Sequence, residues 1–171
     1  LFRSDETSQE RALDCLYRFG ERLRGLPRSA VRAVGTNTLR VARNAPAFLG
    51  KAELALGAPI EVIAGREEAR LIYIGVAHSL PMTREKRLVV DIGGGSTEFI
   101  IGEGLKPLRL ESKYMGCVSW SLRWFADGRI TKSALKQAEL AARTELQSIA
   151  GTFSHKHWKH AVRSEEHTSE L

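Results

Sequence analysis

The octapeptide Asp91-Ile92-Gly93-Gly94-Gly95-Ser96-Thr97-Glu98, set directly after the apolar run Leu88-Val89-Val90, constrains this chain more than any other stretch. It places three glycines and two hydroxyls between two carboxylates, at the point where a buried strand must turn back. Glycine tolerates positive φ and lets the backbone come close to a ligand. Successive amides in such a turn form a concave nest for phosphate oxygens. The two acids suit Mg²⁺, which takes a few carboxylates together with water and substrate phosphate. A glycine-rich hairpin with polar turn residues accounts for the same letters. A Walker A loop does not, because no Gly-Lys-Ser/Thr follows.

The pattern around this turn predicts a mixed-sheet α/β protein. Residues 8–26 read as an amphipathic helix with Leu13, Leu16, Tyr17, Phe19 and Leu23 on its apolar stripe, stopped by Pro27. A short strand over 30–34, a helix from Leu39, and a helix opened by Asn44-Ala45-Pro46 follow. A second strand over 59–63 leads into a helix that begins at Gly65-Arg66-Glu67-Glu68. Residues 80–86 are polar, contain Pro81 and read as a connector between two lobes. Beyond them, strands over 87–92, 97–102 and 106–113 joined by glycine turns form a meander. Helices over 116–125 and 131–149 complete the series. Strands interleaved with helices, then a meander, give an α/β architecture with helices flanking mixed sheets.

Three places carry chemistry. Gly35-Thr36-Asn37-Thr38-Leu39-Arg40 runs from a strand's carboxyl end into a helix, which is where open α/β sheets bind ligands. There Thr36 and Thr38 can donate to phosphate and Arg40 can grip two oxygens. The same residues serve equally as an ordinary N-cap with a solvated arginine. Glu67 and Glu68 open a helix, where the dipole favours acids and where Arg66 and Arg70 can pair with them. A carboxylate at that place can also deprotonate an attacking water. Asp91 and Glu98 repel one another inside a sheet unless a cation or hydrogen bonds offset the cost. His78 reads as structural. His155, His157 and His160 read as surface residues, since they lack carboxylate or thiol company. Trp120 and Trp124, with Leu122 and Phe125, read as core. The amides of the 114–118 strand-to-helix transition can approach a ligand.

The two ends look foreign. Leu1-Phe2-Arg3-Ser4 back-translates as CTC TTC CGA TCT, and Arg163-Ser164-Glu165-Glu166 as its reverse complement, AGA TCG GAA GAG. Residues 1–4 and 163–171 are therefore expected to be adaptor-derived tails. That leaves 5–80 as part of a first lobe and 81–162 as part of a second. The formal charge is +6 overall. Such an excess suits a polyanion but is common on soluble proteins. A nucleic-acid partner is not expected, because no reading motif or stacking series accompanies the charge. No apolar run approaches a membrane span, no segment resembles a signal peptide, and two cysteines make no framework, which together indicate a cytoplasmic protein. Cys15 and Cys117 are expected to be buried thiols.

Four ordered motifs, 35–40, 60–72, 90–98 and 115–118, closely resemble the exopolyphosphatase and guanosine pentaphosphate phosphatase family of the actin-like, sugar-kinase and Hsp70 superfamily. The resemblance covers essentially all of 5–162. It implies the two-lobed actin-like (ribonuclease H-like) ATPase fold, here incomplete, and Mg²⁺-dependent hydrolysis of a terminal phosphoanhydride. By that resemblance Glu68 matches the catalytic base, and Asp91 and Glu98 match the acids that position magnesium and water. Gly93, Gly94, Gly95, Ser96 and Thr97 match the second phosphate loop, and Arg40 a phosphate-gripping arginine. The implied substrate is inorganic polyphosphate, with guanosine pentaphosphate as the alternative. A non-catalytic actin-like nucleotide-binding module is the reading from another class, which loss of the Glu68 carboxylate would favour. A homodimer and peripheral membrane association are compatible with the family. The family's first phosphate loop and its final Gly-Ser-Gly type loop do not occur in these residues, so the 171-residue chain is expected to have little activity by itself.

Overall fold

In the computed structural model, which describes residues 4–164, Asp5 caps the first helix, α1 (Glu6–Leu23), by accepting from the Ser8 amide at 2.8 Å. After Pro27, residues Arg28–Ala30 form a 3-10 turn, closed by the Ala30 amide donating to Pro27 O at 2.8 Å. The strand expected to start at Ala30 is displaced by this turn and becomes β1 (Ala33–Gly35). Next come α2 (Asn37–Val41), α3 (Ala45–Leu56) with Pro46 in its first turn, and β2 (Ile60–Val62). Gly57 ends α3 at φ 73°, a left-handed conformation that favours glycine. β1 and β2 pair in parallel, Ala33 with Ile60 and Gly35 with Val62. Helices α1 and α3 touch where a Cβ on Gly20 would lie 2.7 Å from Leu56 O.

A second compact unit starts at Gly65. It comprises α4 (Gly65–Ser79), β3 (Lys86–Ile92), β4 (Thr97–Glu103), β5 (Lys106–Lys113), α5 (Cys117–Trp124), α6 (Lys132–Gln147) and β6 (His160–Arg163). The sheet order is β5-β4-β3-β6. Its first two pairings are antiparallel and the β3–β6 pairing parallel, so the sheet is mixed. Alternation decides what each face buries. Val89 and Ile100 point to the face covered by Ala69, Tyr73 and Ala77 of α4, while Leu88 and Ile101 pack with Ile149 and Phe153 on the other. The compact units divide between Ala64 and Gly65, whereas the lobe boundary read from composition lies at the 80–86 connector. Helix α4 joins the second unit because its buried stripe lies on that unit's sheet.

The structure corrects three expectations about elements and burial. β6 occupies residues that the sequence left without a strand, because four residues identify themselves only by pairing with β3. Cys15 and Cys117 are exposed thiols, not buried ones. Leu122 is 67% exposed, so the α5 face reaches solvent, and Trp120, Trp124 and Phe125 are only half-buried. Of the two tails set aside, 1–3 and 165–171 lie outside the described residues. Within them, Arg163 continues β6 and the Ser164 amide donates to Val90 O at 3.0 Å. No helix among the described residues is long and apolar enough to cross a membrane.

Candidate functional site

Asp91 and Glu98 are direct register partners across β3 and β4. By the alternation above, both carboxyls stand on the face covered by α4. Glu98 is buried, 1% exposed. Ser112, its partner on β5, donates its hydroxyl to Glu98 Oε1 at 2.7 Å. Burial pushes the Glu98 carboxyl above its ordinary range. Hydrogen bonds from Ser112 and Ser96 oppose that shift, and the charges of Glu68 and Asp91 add to it. Glu68, in the first turn of α4, thus lies near enough to Glu98 to oppose its ionisation.

The two neighbouring glutamates part company here. Glu67 is held by Arg70 through two hydrogen bonds of 2.7 Å, and Arg66 reaches Glu111 at 2.7 Å. Glu68 is the member of the pair whose charge is felt at Glu98. Mutually opposed carboxylates are the donor chemistry that a hard cation relieves, so Asp91 and Glu98 fit Mg²⁺. Among the described residues no group of three or more His, Cys, Asp or Glu is gathered to hold a metal by itself. A cation on Asp91 and Glu98 would therefore keep water or phosphate oxygens among its ligands.

The turn between these acids is built differently from the sequence expectation. None of Gly93, Gly94 and Gly95 has positive φ. The Gly93 amide closes the turn on Ser96 O at 2.8 Å, and the Cys117 and Ser119 amides at the start of α5 donate to Gly93 O (2.9 Å) and Gly94 O (3.0 Å). Thr97 donates its hydroxyl to Met115 O. The amides of the 114–118 transition, expected to approach a ligand, are thus represented at Cys117 by a bond to the loop. Close approach, not φ, requires glycine, and it does so at Gly116. A Cβ there would lie 2.4 Å from Gly94 C and Gly95 N. Sequence reasoning did not single out Ser112 or Ser119, which contact Glu98 and the glycine loop, and it offered Gly116 only as part of the 115–118 motif.

Arg40 belongs to the first unit, where its Nη1 donates to Ile63 O at 2.9 Å. Among the described residues Thr36 occupies the N-cap position of α2, as one reading had it, but makes no side-chain cap, and Asn37 Oδ1 is buried without a partner. The second unit brings together Glu68, Asp91, Glu98 and the Gly93–Thr97 loop. His160 Nε2 lies 2.6 Å from Glu85 Oε2, and His155 and His157 sit in a 3-10 turn.

The sequence profile of the Ppx/GppA phosphatase family matches residues 3–169. An exopolyphosphatase-like protein of known structure is similar over 96% of this chain and 52% of its own, with 25% identity and a TM-score of 0.86. An exopolyphosphatase from Cytophaga hutchinsonii is similar over 96% of this chain and 53% of its own, with 26% identity and a TM-score of 0.80. The Aquifex aeolicus PPX-GPPA enzyme is 30% identical over 86% of this chain and 49% of its own, with a TM-score of 0.63. The chain thus spans about half the length of the solved structures it matches.

Proposed function

Because the chain belongs to the Ppx/GppA phosphatase family, of actin-like ATPase fold and typically phosphoanhydride hydrolases, we propose that the full-length protein is an exopolyphosphatase that removes orthophosphate from the end of inorganic polyphosphate. The observation that carries the proposal is the grouping of Glu68, Asp91 and the buried Glu98 beside a glycine loop. Phosphoryl transfer needs positioning and charge neutralisation more than covalent help. A water oxygen attacks the terminal phosphorus while Glu68 takes its proton, and the bond from that phosphorus to the bridging oxygen breaks. The bridging oxygen leaves with the electron pair on the shortened chain, and orthophosphate is released. Asp91 and Glu98 would hold Mg²⁺, which when bound supplies positive charge to the phosphate oxygens. In this reading the loop from Gly93 to Thr97 binds phosphate in the second unit, and Arg40 remains a separate phosphate-gripping candidate of the first.

The Gly-Gly-Gly-Ser loop and the 33–38 segment, Ala-Val-Gly-Thr-Asn-Thr, favour polyphosphate over guanosine pentaphosphate. The enzyme so proposed is cytoplasmic and has no nucleic-acid partner, and a homodimer is compatible with it. The test follows Mg²⁺-dependent orthophosphate release by the full-length protein from long-chain polyphosphate and guanosine pentaphosphate side by side. Preference for polyphosphate is expected. Preference for the nucleotide would move the protein to the sister activity, and no release from either would leave a non-catalytic nucleotide-binding module as the reading.

A further inference from the structure

We propose that Gly116 and Ser119 are positioning residues for the phosphate loop, acting by fixing the carbonyls of Gly93–Gly95 so that the amides of the same peptide units face the opposite side. The proposal rests on the phosphate-loop reading above. Three consecutive glycines have more conformational freedom to lose than any other tripeptide, and the local bond from the Gly93 amide to Ser96 O closes the turn without selecting the orientation of the Gly94 and Gly95 peptides. Contacts from elsewhere must select it.

Those contacts come from one side. Gly93 O accepts from the Cys117 amide at 2.9 Å and Gly94 O from the Ser119 amide at 3.0 Å. The Ser119 hydroxyl lies 3.1 Å from Gly116 O, its nearer acceptor, and 3.5 Å from Gly95 O. In a planar trans peptide the C=O and the next N–H point in opposite directions. With the Gly93 and Gly94 carbonyls bonded to α5 and the Gly95 carbonyl facing it, the Gly94, Gly95 and Ser96 amides turn away from it. The hydrogen bonds that fix the loop use none of those three amides. Ser119 also ties the clamp to itself, its hydroxyl accepting from the Gly116 amide at 3.1 Å. Gly116 is what lets the segment come this close, since a Cβ there would stand 2.5 Å from Gly93 O and 2.4 Å from Gly94 C.

The experiment compares the wild-type full-length protein with Gly116→Ala, Ser119→Ala and Ser119→Thr. Amide hydrogen exchange is read over 91–98, and KM and kcat are measured on long-chain polyphosphate. Ser119→Ala keeps the backbone bonds and carries the test should Gly116→Ala not fold. Ser119→Ala is expected to speed exchange in the loop and raise KM about three- to tenfold while kcat changes less than about twofold, as loss of about one ground-state hydrogen bond between the loosened loop and phosphate requires. Ser119→Thr is expected to restore both, and Gly116→Ala to exceed Ser119→Ala. Loop exchange and KM unchanged in Ser119→Ala would overturn the proposal, as would a change in either one without the other. If the wild type released no orthophosphate, the exopolyphosphatase reading would fail. Loop exchange, with binding of inorganic phosphate as the second readout, would still decide the clamp.

Discussion

Glu67 and Glu68 stand side by side in one helical turn and face different tasks. Glu67 forms a half-exposed ion pair with Arg70, which contributes little to stability. Glu67→Gln should change unfolding free energy by no more than about 0.5 kcal/mol and leave turnover near wild type. Glu68→Gln should keep the fold and lower kcat about 10²- to 10⁴-fold, the share of a general base. Thermal melts and steady-state rates on both variants check this, and equal losses in the two would remove Glu68 from its role. Glu98 gives a pH prediction. Its ordinary value is 4.5, and burial raises the folded value, so between the two the folded state holds a proton that the unfolded chain has shed. The stability this group contributes is therefore present below 4.5 and lost as pH rises through the raised folded value. In metal-free buffer Glu98→Gln should melt higher than wild type at neutral pH, and that advantage should shrink toward pH 4.5 and below. A gap that stays constant with pH would contradict it. The carboxylates were legible in the sequence because a motif displays them. Ser112 was not, because its partnership with Glu98 exists only once β4 and β5 are in register.

Elements with a strong local pattern were readable, and those made by their neighbours were not. Helices α1, α3, α4 and α6 and strands β3 to β5 carry their own periodicity and lie close to where the sequence put them. β1 slid because Pro27 launches a 3-10 turn, and β6 appears only as a pairing with β3. The contact between α4 and β4 shows how such neighbours select a residue. Tyr73, 1% exposed, lays its ring over Gly102 and donates its hydroxyl to Gly104 O at 2.9 Å. A Cβ on Gly102 would lie 2.1 Å from Tyr73 Cζ. Gly102→Ala should accordingly cost about 1–3 kcal/mol, the range for overpacking a filled core. Combining it with Tyr73→Leu, which removes the ring from that spot, should cost less than the two single changes added together. Denaturant melts on the four proteins measure the coupling, and strict additivity would show that the ring and Gly102 do not compete for space.

Across the whole molecule the two compact units are built with unequal cores. The buried hydrophobics of the first, among the described residues, are Ala42, Ala45, Ala52, Leu56 and Ile63, and α1 contributes no fully buried residue. The second buries Tyr73, Leu88, Val89, Ile100, Ile101, Ile149 and Phe153 on two faces of a four-stranded sheet. Hydrophobic stabilisation scales with apolar area removed from water, about 25 cal/mol per Å², and an alanine removes far less than an isoleucine or tyrosine. Local opening should follow that difference, since opening free energies run from near zero at poorly buried segments to the global value in core strands. Native-state hydrogen exchange should therefore find the slowest amides in β3, β4 and the buried side of α4, with those of α1, β1 and β2 exchanging first. The order matters for the proposed chemistry, because Asp91, Glu98 and Glu68 all stand on the slow elements and would be held within the small tolerance that in-line attack demands. Faster exchange in β3 and β4 than in α1 would mean that burial does not set the local stability here, and that the acidic group is less rigidly held than its packing indicates.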